Sequence, residues 1–310
     1  MFGFVIRRIG VAIPTILVII TVAFFMMRAA PGGPFDLERP MPEETRQTLL
    51  ANYGMDQPLW RQYVDYMGDL VQGDLGPSLK LRDKRVSEII AEGFPVSATI
   101  GVFSMALAIV LGSLLGSVAA LRQNTAGDFS IMTFAMVGIS IPPFVMGPIL
   151  ALVFGLYLGL VPTGGLDPRY GMTPDRLILP IITLALPQIA IIARLMRASM
   201  IEVIRSNYIR TARAKGLSAT AVIFKHALRS AVLPLVSYLG PASAAVLSGS
   251  LVIERVFQLP GIGKHFVDAA LQRDYTVVMG VVIIYASLII LLNLLADLLY
   301  GVLNPKVKYD

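Results

Sequence analysis

His226 and His265 are the only imidazoles in the chain, and it contains no cysteine. Thiolate metal sites, disulfides and cysteine nucleophiles are thereby excluded. A paired-histidine metal motif would need both imidazoles, which lie in separate polar segments. No metal ligand set, catalytic residue or cofactor site emerges from this inventory. Gly261-Ile262-Gly263-Lys264-His265 carries the lysine of a phosphate-binding loop but lacks the earlier glycine and the hydroxyl residue. ATP hydrolysis therefore has no expected seat here, and the chain reads as a non-enzyme. Ionisable groups inside a membrane mark proton or ion pathways. Asp297, near the end of the last apolar run, is the one clear case, and an ion pair with Arg194 or Arg197 is its expected role. Gln188 and Asn293 are expected to hydrogen-bond within a helix bundle.

The elements that position these residues are apolar helices. Of the 310 residues, 55% are hydrophobic and 15% charged, with a mean hydropathy of +0.72. Soluble domains carry about 25% charge, so this deficit predicts a surface that faces lipid. A spanning helix needs about 20 apolar residues. Six uncharged runs qualify or nearly so: 19 residues between Arg8 and Arg28, 29 from Gly93 to Leu121, 38 from Phe129 to Leu166, 17 from Leu177 to Ala193, 24 from Ser230 to Ile253 and 22 from Tyr275 to Ala296. The first is longer than a signal-peptide core and lacks a small-residue cleavage site before Arg28, so it reads as a retained helix.

The 38-residue run could hold one long helix or two short ones, with Pro142, Pro143 and Pro148 as possible breaks. Charge decides. With six crossings and a cytoplasmic N-terminus, the inside segments hold 13 Lys/Arg against 5 in the short outside segments. A seventh helix would move the Arg-rich 194–229 segment outside. The net charge of +6 is small for a nucleic-acid binder; its placement on one membrane face matters more than its sum.

Residues 1–30 thus form the cytoplasmic N-terminus and first helix, 31–97 a polar external insertion, and 98–310 the core with its cytoplasmic segment at about 199–229. In the insertion, Asp56 and Pro58 resemble a helix start, and Leu59, Tyr63, Tyr66 and Leu70 follow at near-helical spacing. This is either a small cap whose aromatics pack on themselves or, together with the 254–274 loop, a docking surface for an external partner. Ala108, Gly112, Gly116 and Ala120 recur every four residues, which lets helix backbones approach closely. Pro180, Pro187, Pro234 and Pro241 fall inside predicted spans and can kink them.

The segment Glu202–Arg229 reads as two short helices around a break. Gly216 suits the left-handed position past a helix end, and Ser218 can cap the next helix. Arg205, Arg210, Arg213 and Lys215 are cationic, while Ala212, Ala214 and Leu217 offer small or apolar surface. Two readings stand side by side: a basic hairpin on anionic headgroups, or a docking element for a partner.

Here a resemblance enters. Arg210-Thr211-Ala212-Arg213-Ala214-Lys215-Gly216-Leu217 resembles the peptide-importer version of the EAA loop, the cytoplasmic signature of ABC importer permeases. Glu254-Arg255-Val256-Phe257-Gln258-Leu259-Pro260-Gly261-Ile262-Gly263, followed by Arg273-Asp274-Tyr275, is similar to the external motif of the same subfamily. The start (Phe24 to Arg28, then Ala30-Pro31-Gly32) and the close (Asn304-Pro305-Lys306) are similar too. Arg210 stands where glutamate is usual, and Arg229 where a proline usually closes the motif.

The resemblance implies an all-α type I ABC importer permease with six spanning helices, in a bacterial inner membrane, with both termini cytoplasmic. It implies half of a peptide pathway, most directly for oligopeptides, completed by a paralogous second permease subunit. Two ABC ATPase subunits would hold ATP and Mg and dock at Arg210, Thr211, Ala212, Arg213, Gly216 and Leu217. An extracytoplasmic peptide-binding protein would deliver substrate to the outer face, where Glu254, Pro260, Gly261, Gly263 and Asp274 carry the family motif. A proton-coupled peptide carrier is disfavoured by the shortage of mid-membrane carboxylates. An intramembrane hydrolase is disfavoured because both histidines fall in predicted loops.

Overall fold

The computed structural model describes residues 2–30, 32–35, 42–81, 83–167 and 169–303. Pro31 and Asn304-Pro305-Lys306, used in the resemblance above, lie outside them. The described chain is helical: α1 (Phe2–Ala29), α2 (Glu43–Asn52), α3 (Leu59–Val71), α4 (Val86–Leu121), α5 (Ala126–Ser140), α6 (Pro143–Leu150, continued by a π-helical stretch Ala151–Tyr157), α7 (Pro174–Ile204), α8 (Asn207–Ala214), α9 (Ala219–Ala221, running into a π-helical Val222–Ala227), α10 (Leu228–Ala231), α11 (Leu233–Val256), α12 (Ile262–Gln272) and α13 (Tyr275–Leu303). Among the described residues, five helices are long and apolar enough to cross a membrane, namely α1, α4, α7, α11 and α13. They become six if the bent α5–α6 pair is one crossing.

The bend is 104°. Proline restricts its predecessor to extended backbone, and Ile141 (φ −106°, ψ 119°) and Pro142 (φ −56°, ψ 142°) are both extended. The helix stops at Ser140 and restarts at Pro143, whose missing N–H is harmless in a first turn. The 38-residue run is therefore two helical pieces at a sharp angle.

The bundle closes around α7. Of its most apolar stretch 61% is buried, against 11% for α1, so α7 is the central helix and α1 a peripheral one. The small-residue stripe of α4 makes this possible. A Cβ on Gly112 would sit 2.8 Å from the Ile192 side chain, and one on Gly116 would sit 2.8 Å from Met196 Cβ. Ala108 is fully buried in the same seam. Backbones approach here because nothing stands between them. Gln188 and Asn293 do stay within the bundle: Tyr238 donates to Gln188 Oε1 at 2.9 Å, and Asn293 Nδ2 donates to the Ile289 carbonyl at 2.8 Å.

Three expectations are corrected. Helix α4 begins at Val86, inside the segment assigned to the insertion. Its first turns carry Glu88 and Glu92 on the outside while Val86, Ile89, Ile90 and Gly93 are buried. A one-sided helix hides its start from a search for uncharged runs. Asp297 pairs with Arg8 of α1, not with Arg194 or Arg197. Arg197 is taken by Asp128, a carboxylate that sequence reading passed over. Finally, both histidines lie in helical segments, though outside the spans.

Candidate functional site

At the Arg-rich face, α7 ends at Ile204 and a two-residue turn redirects the chain into α8. Ser206 supports that turn by donating to the Val203 carbonyl at 2.6 Å. Ile209 is fully buried and Ala212 nearly so. Both join a core that contains Met196 and Met200 of α7, Val222 and Ala227 of the π-helical stretch, and Ala231 of α10. This packing seats α8 against the π-helical stretch, in a core shared with the end of the central helix.

The other side of α8 is open. Arg210, Thr211 and Arg213 are exposed, as are Lys215, Gly216 and Leu217 beyond it. Arg210, Arg213 and Lys215 make no ion pair among the described residues. Gly216 has φ +79°, the left-handed value that closes a helix. The Gly216 N–H donates to the Arg213 carbonyl at 2.9 Å, and Ser218 Oγ accepts from the Ala221 N–H at 3.3 Å. Of the six residues expected to meet a partner here, five are exposed. Ala212 is the exception: it faces inward because it repeats with Ile209 at helical spacing on the packed side.

A second set of bonds stiffens this face. Arg197 grips Asp128 with two hydrogen bonds, at 2.7 Å from Nε and 2.6 Å from a terminal nitrogen. Asp128, 1% exposed, also accepts from the Asn124 N–H at 2.9 Å in the first turn of α5. Negative charge is favoured at a helix start. Arg205 reaches Gln123 at 2.9 Å. The 122–128 turn is thereby tied to the last turns of α7, just before α8. Asp128 sits 69 positions from Arg197, so only the fold reveals the pair.

At the opposite face, the family-like motif divides into two clusters joined by α12. In the first, Glu254 is fully buried at the end of α11. Its Oε2 accepts from the N–H of Gly263 at 2.7 Å and of Lys264 at 3.4 Å, the free donors of the first turn of α12. Ser97 of α4 accepts from the Ile262 N–H at 2.9 Å. Gly261 and Gly263 have no alternative. A Cβ on Gly261 would lie 2.6 Å from Ser97 Oγ and overlap the Glu254 carboxylate; one on Gly263 would lie 2.5 Å from Leu251 Cα. Pro260, half-buried, follows Gln258, whose left-handed φ of +54° makes the reversal.

In the second cluster Asp274, 2% exposed, precedes α13. It accepts from Ser78 Oγ, from the N–H groups of Leu79 at 3.1 Å, Lys80 at 3.3 Å and Val277 at 3.3 Å, and from Thr276 Oγ1 at 3.0 Å. Beside it Tyr275 donates to the Gly32 carbonyl at 2.9 Å and Thr276 to that of Pro77 at 2.6 Å. The insertion is thus sewn to the start of α13. Burial depresses the Lys80 ammonium, an effect the Asp274 carboxylate partly offsets. Burial, helped by the neighbouring Lys264 charge, likewise lowers the His265 pKa and so favours its neutral form.

Asp128, Glu254 and Asp274 each sit at a helix terminus and are held by N–H donors. None lies mid-span, so no carboxylate relay crosses the bundle among the described residues.

Residues 108–309 match the family model described as binding-protein-dependent transport system inner membrane component, and residues 1–100 match that of its N-terminal membrane component. The chain is 47% identical over 309 residues to the oligopeptide transport system permease protein OppB of Haemophilus influenzae, covering 100% of both. It is 42% identical to the dipeptide transport system permease protein DppB of Bacillus subtilis, covering 99% of this chain and 98% of that one. Among solved structures, a chain of the MetNI methionine ABC transporter in an inward-facing conformation superposes with a TM-score of 0.59. It covers 70% of this chain and 96% of its own length at 17% identity, a likeness of fold.

Proposed function

The chain belongs to the family of binding-protein-dependent transport system inner membrane components, and on that premise we propose that it forms half of a peptide pathway in an ATP-driven importer. Its cargo is a peptide, oligopeptides foremost, in keeping with the names of its full-length relatives. A related permease subunit completes the pathway, and a peptide-binding protein delivers cargo to the face that carries α2 and the 254–274 loop. ATP and Mg reside on two separate ATPase subunits. The membrane is the bacterial cytoplasmic membrane, with both termini and α8 on the cytoplasmic side, as the charge bias favours.

The single observation that carries this reading is α8. A short helix is anchored by Ile209 and Ala212 in a core shared with the end of the central helix and the π-helical Val222–Ala227 stretch, while Arg210, Thr211, Arg213 and Leu217 stand exposed. Rigid transmission needs such an anchored element, because packed interfaces switch between discrete arrangements. The membrane-surface alternative offers no reason for the anchoring. With no native cysteine in the chain, single cysteines provide a clean test. Thr211→Cys and Leu217→Cys should crosslink to an ATPase subunit in the assembled complex, and Ala212→Cys should not. Equal labelling of Thr211→Cys and Leu217→Cys with and without the ATPase subunits would assign α8 to the lipid surface.

A further inference from the structure

Helix α3 presents three faces. Tyr63, Tyr66, Met67 and Leu70 turn toward the bundle and pack around Ile20 and Phe24 of α1 and Met279 and Ile283 of α13. Arg61, Asp65 and Asp69 are exposed along a second edge. Between these lies an apolar edge left uncovered: Trp60 is 65% exposed, Val64 57% and Val71 85%. At 100° per residue these three fall within about 40° of arc. A helix in water does not gain from such a stripe, and exposed apolar patches mark interaction sites.

The level at which α3 lies identifies what covers it. Tyr63 OH is hydrogen-bonded to Thr21 Oγ1 at 2.7 Å, and its ring stacks on Phe25 at 5.5 Å and meets Phe24 edge-on at 5.3 Å. Thr21 stands eight residues inside the outer end of a span that runs Ile6–Ala29. At 1.5 Å per residue that is about 12 Å below its end. Helix α1 itself carries an exposed apolar surface, where Val18, Val22, Phe25 and Met26 are 41–67% exposed. Arg28 Nε donates to Gln62 Oε1 at 2.9 Å and closes the upper edge of this contact.

We propose that α3 is an interfacial helix whose Trp60–Val64–Val71 edge is embedded in the outer leaflet, beside α1, with its Arg61–Asp65–Asp69 edge toward water. Such helices bury their apolar side about 5–10 Å into the headgroup–acyl boundary, and tryptophan is enriched at that level. The consequence is a division of labour within the insertion. Helix α3 fastens the outer half of α1 to the bilayer surface, and it is withdrawn from the face that meets an external protein.

The chain's single tryptophan makes the test direct, without any substitution. The full chain is reconstituted in phosphatidylcholine vesicles, with or without lipids brominated near the headgroup end of their chains. Trp60 emission should fall by about half with the brominated lipid and respond weakly to external iodide, as a depth of 5–10 Å implies. Spin labels at Val64→Cys and Val71→Cys in the assembled complex should be relaxed more by oxygen than by a soluble nickel chelate, and one at Asp65→Cys the reverse. Quenching by iodide with none by brominated lipid would overturn the proposal. So would shielding of Trp60 by added peptide-binding protein in vesicles whose brominated lipid leaves it bright.

Discussion

Gly216→Val is expected to leave the chain folded and inserted while transport per ATP hydrolysed falls at least about tenfold, which is a coupling loss of about 1.4 kcal/mol. Two effects could act at Gly216, and the structure separates them. Within the chain, an added Cβ meets nothing within 4 Å, so the folded permease has no steric reason to reject a side chain. The backbone does. At φ +79° a non-glycine residue is strained by about 1–2 kcal/mol, and β-branching adds to it. Relief requires the α8–α9 turn to rotate, which swings Leu217 and the end of α8 away from their present line. Gly216→Asn tolerates the left-handed region and should retain most coupled transport. The pair is measured by ATPase rate and peptide uptake in the same vesicles. Normal coupling by Gly216→Val would mean that the turn transmits nothing.

Asp274→Ala should abolish stimulation of the ATPase by loaded binding protein while basal hydrolysis persists. One buried carboxylate gathers donors from Ser78, Leu79, Lys80, Thr276 and Val277. Removing it leaves those buried neutral donors without their acceptor, at about 1–3 kcal/mol for each one that stays unsatisfied. The stitch between the insertion and the start of α13 opens, but Ile209, Met196 and their neighbours at the other face are untouched. This variant is also a better probe of the outer face than excising residues 40–90. Such a deletion removes Val86, Ile89 and Ile90, which belong to the core around α12 and α13. Unchanged stimulation by binding protein in Asp274→Ala would show that the stitched segment has no part in docking.

The sequence made the membrane legible because hydrocarbon excludes charge, and that constraint acts residue by residue. It also made legible what backbone conformation demands locally: Gly216 in its left-handed turn, Ser218 as a cap, Gly112 and Gly116 where α4 meets α7. It was mute where the third dimension decides. That Ala212 faces inward while Thr211 faces out depends on which side of α8 the bundle occupies. Asp128 lies at the border of a polar segment and looks like any surface carboxylate until Arg197 arrives from another helix. The arginine that Asp297 meets is not legible in the sequence, because nearness to a cytoplasmic end does not say which helices are neighbours; α13 lies against α1, so Arg8 is the cation within reach. The start of α4 is hidden from a search for uncharged runs, since Glu88 and Glu92 face away from the core that Val86 and Ile89 enter.

On the proposed function, this chain moves peptides only as part of an ATP-driven assembly. It is tested most directly by peptide uptake into vesicles that contain the chain with a related permease subunit, the two ATPase subunits and an external peptide-binding protein. Uptake should require ATP on the ATPase side and binding protein on the other, and should be insensitive to collapse of the proton gradient. Vesicles with this chain alone should take up none. Uptake by the chain alone, driven by a proton gradient without ATP, would contradict the account.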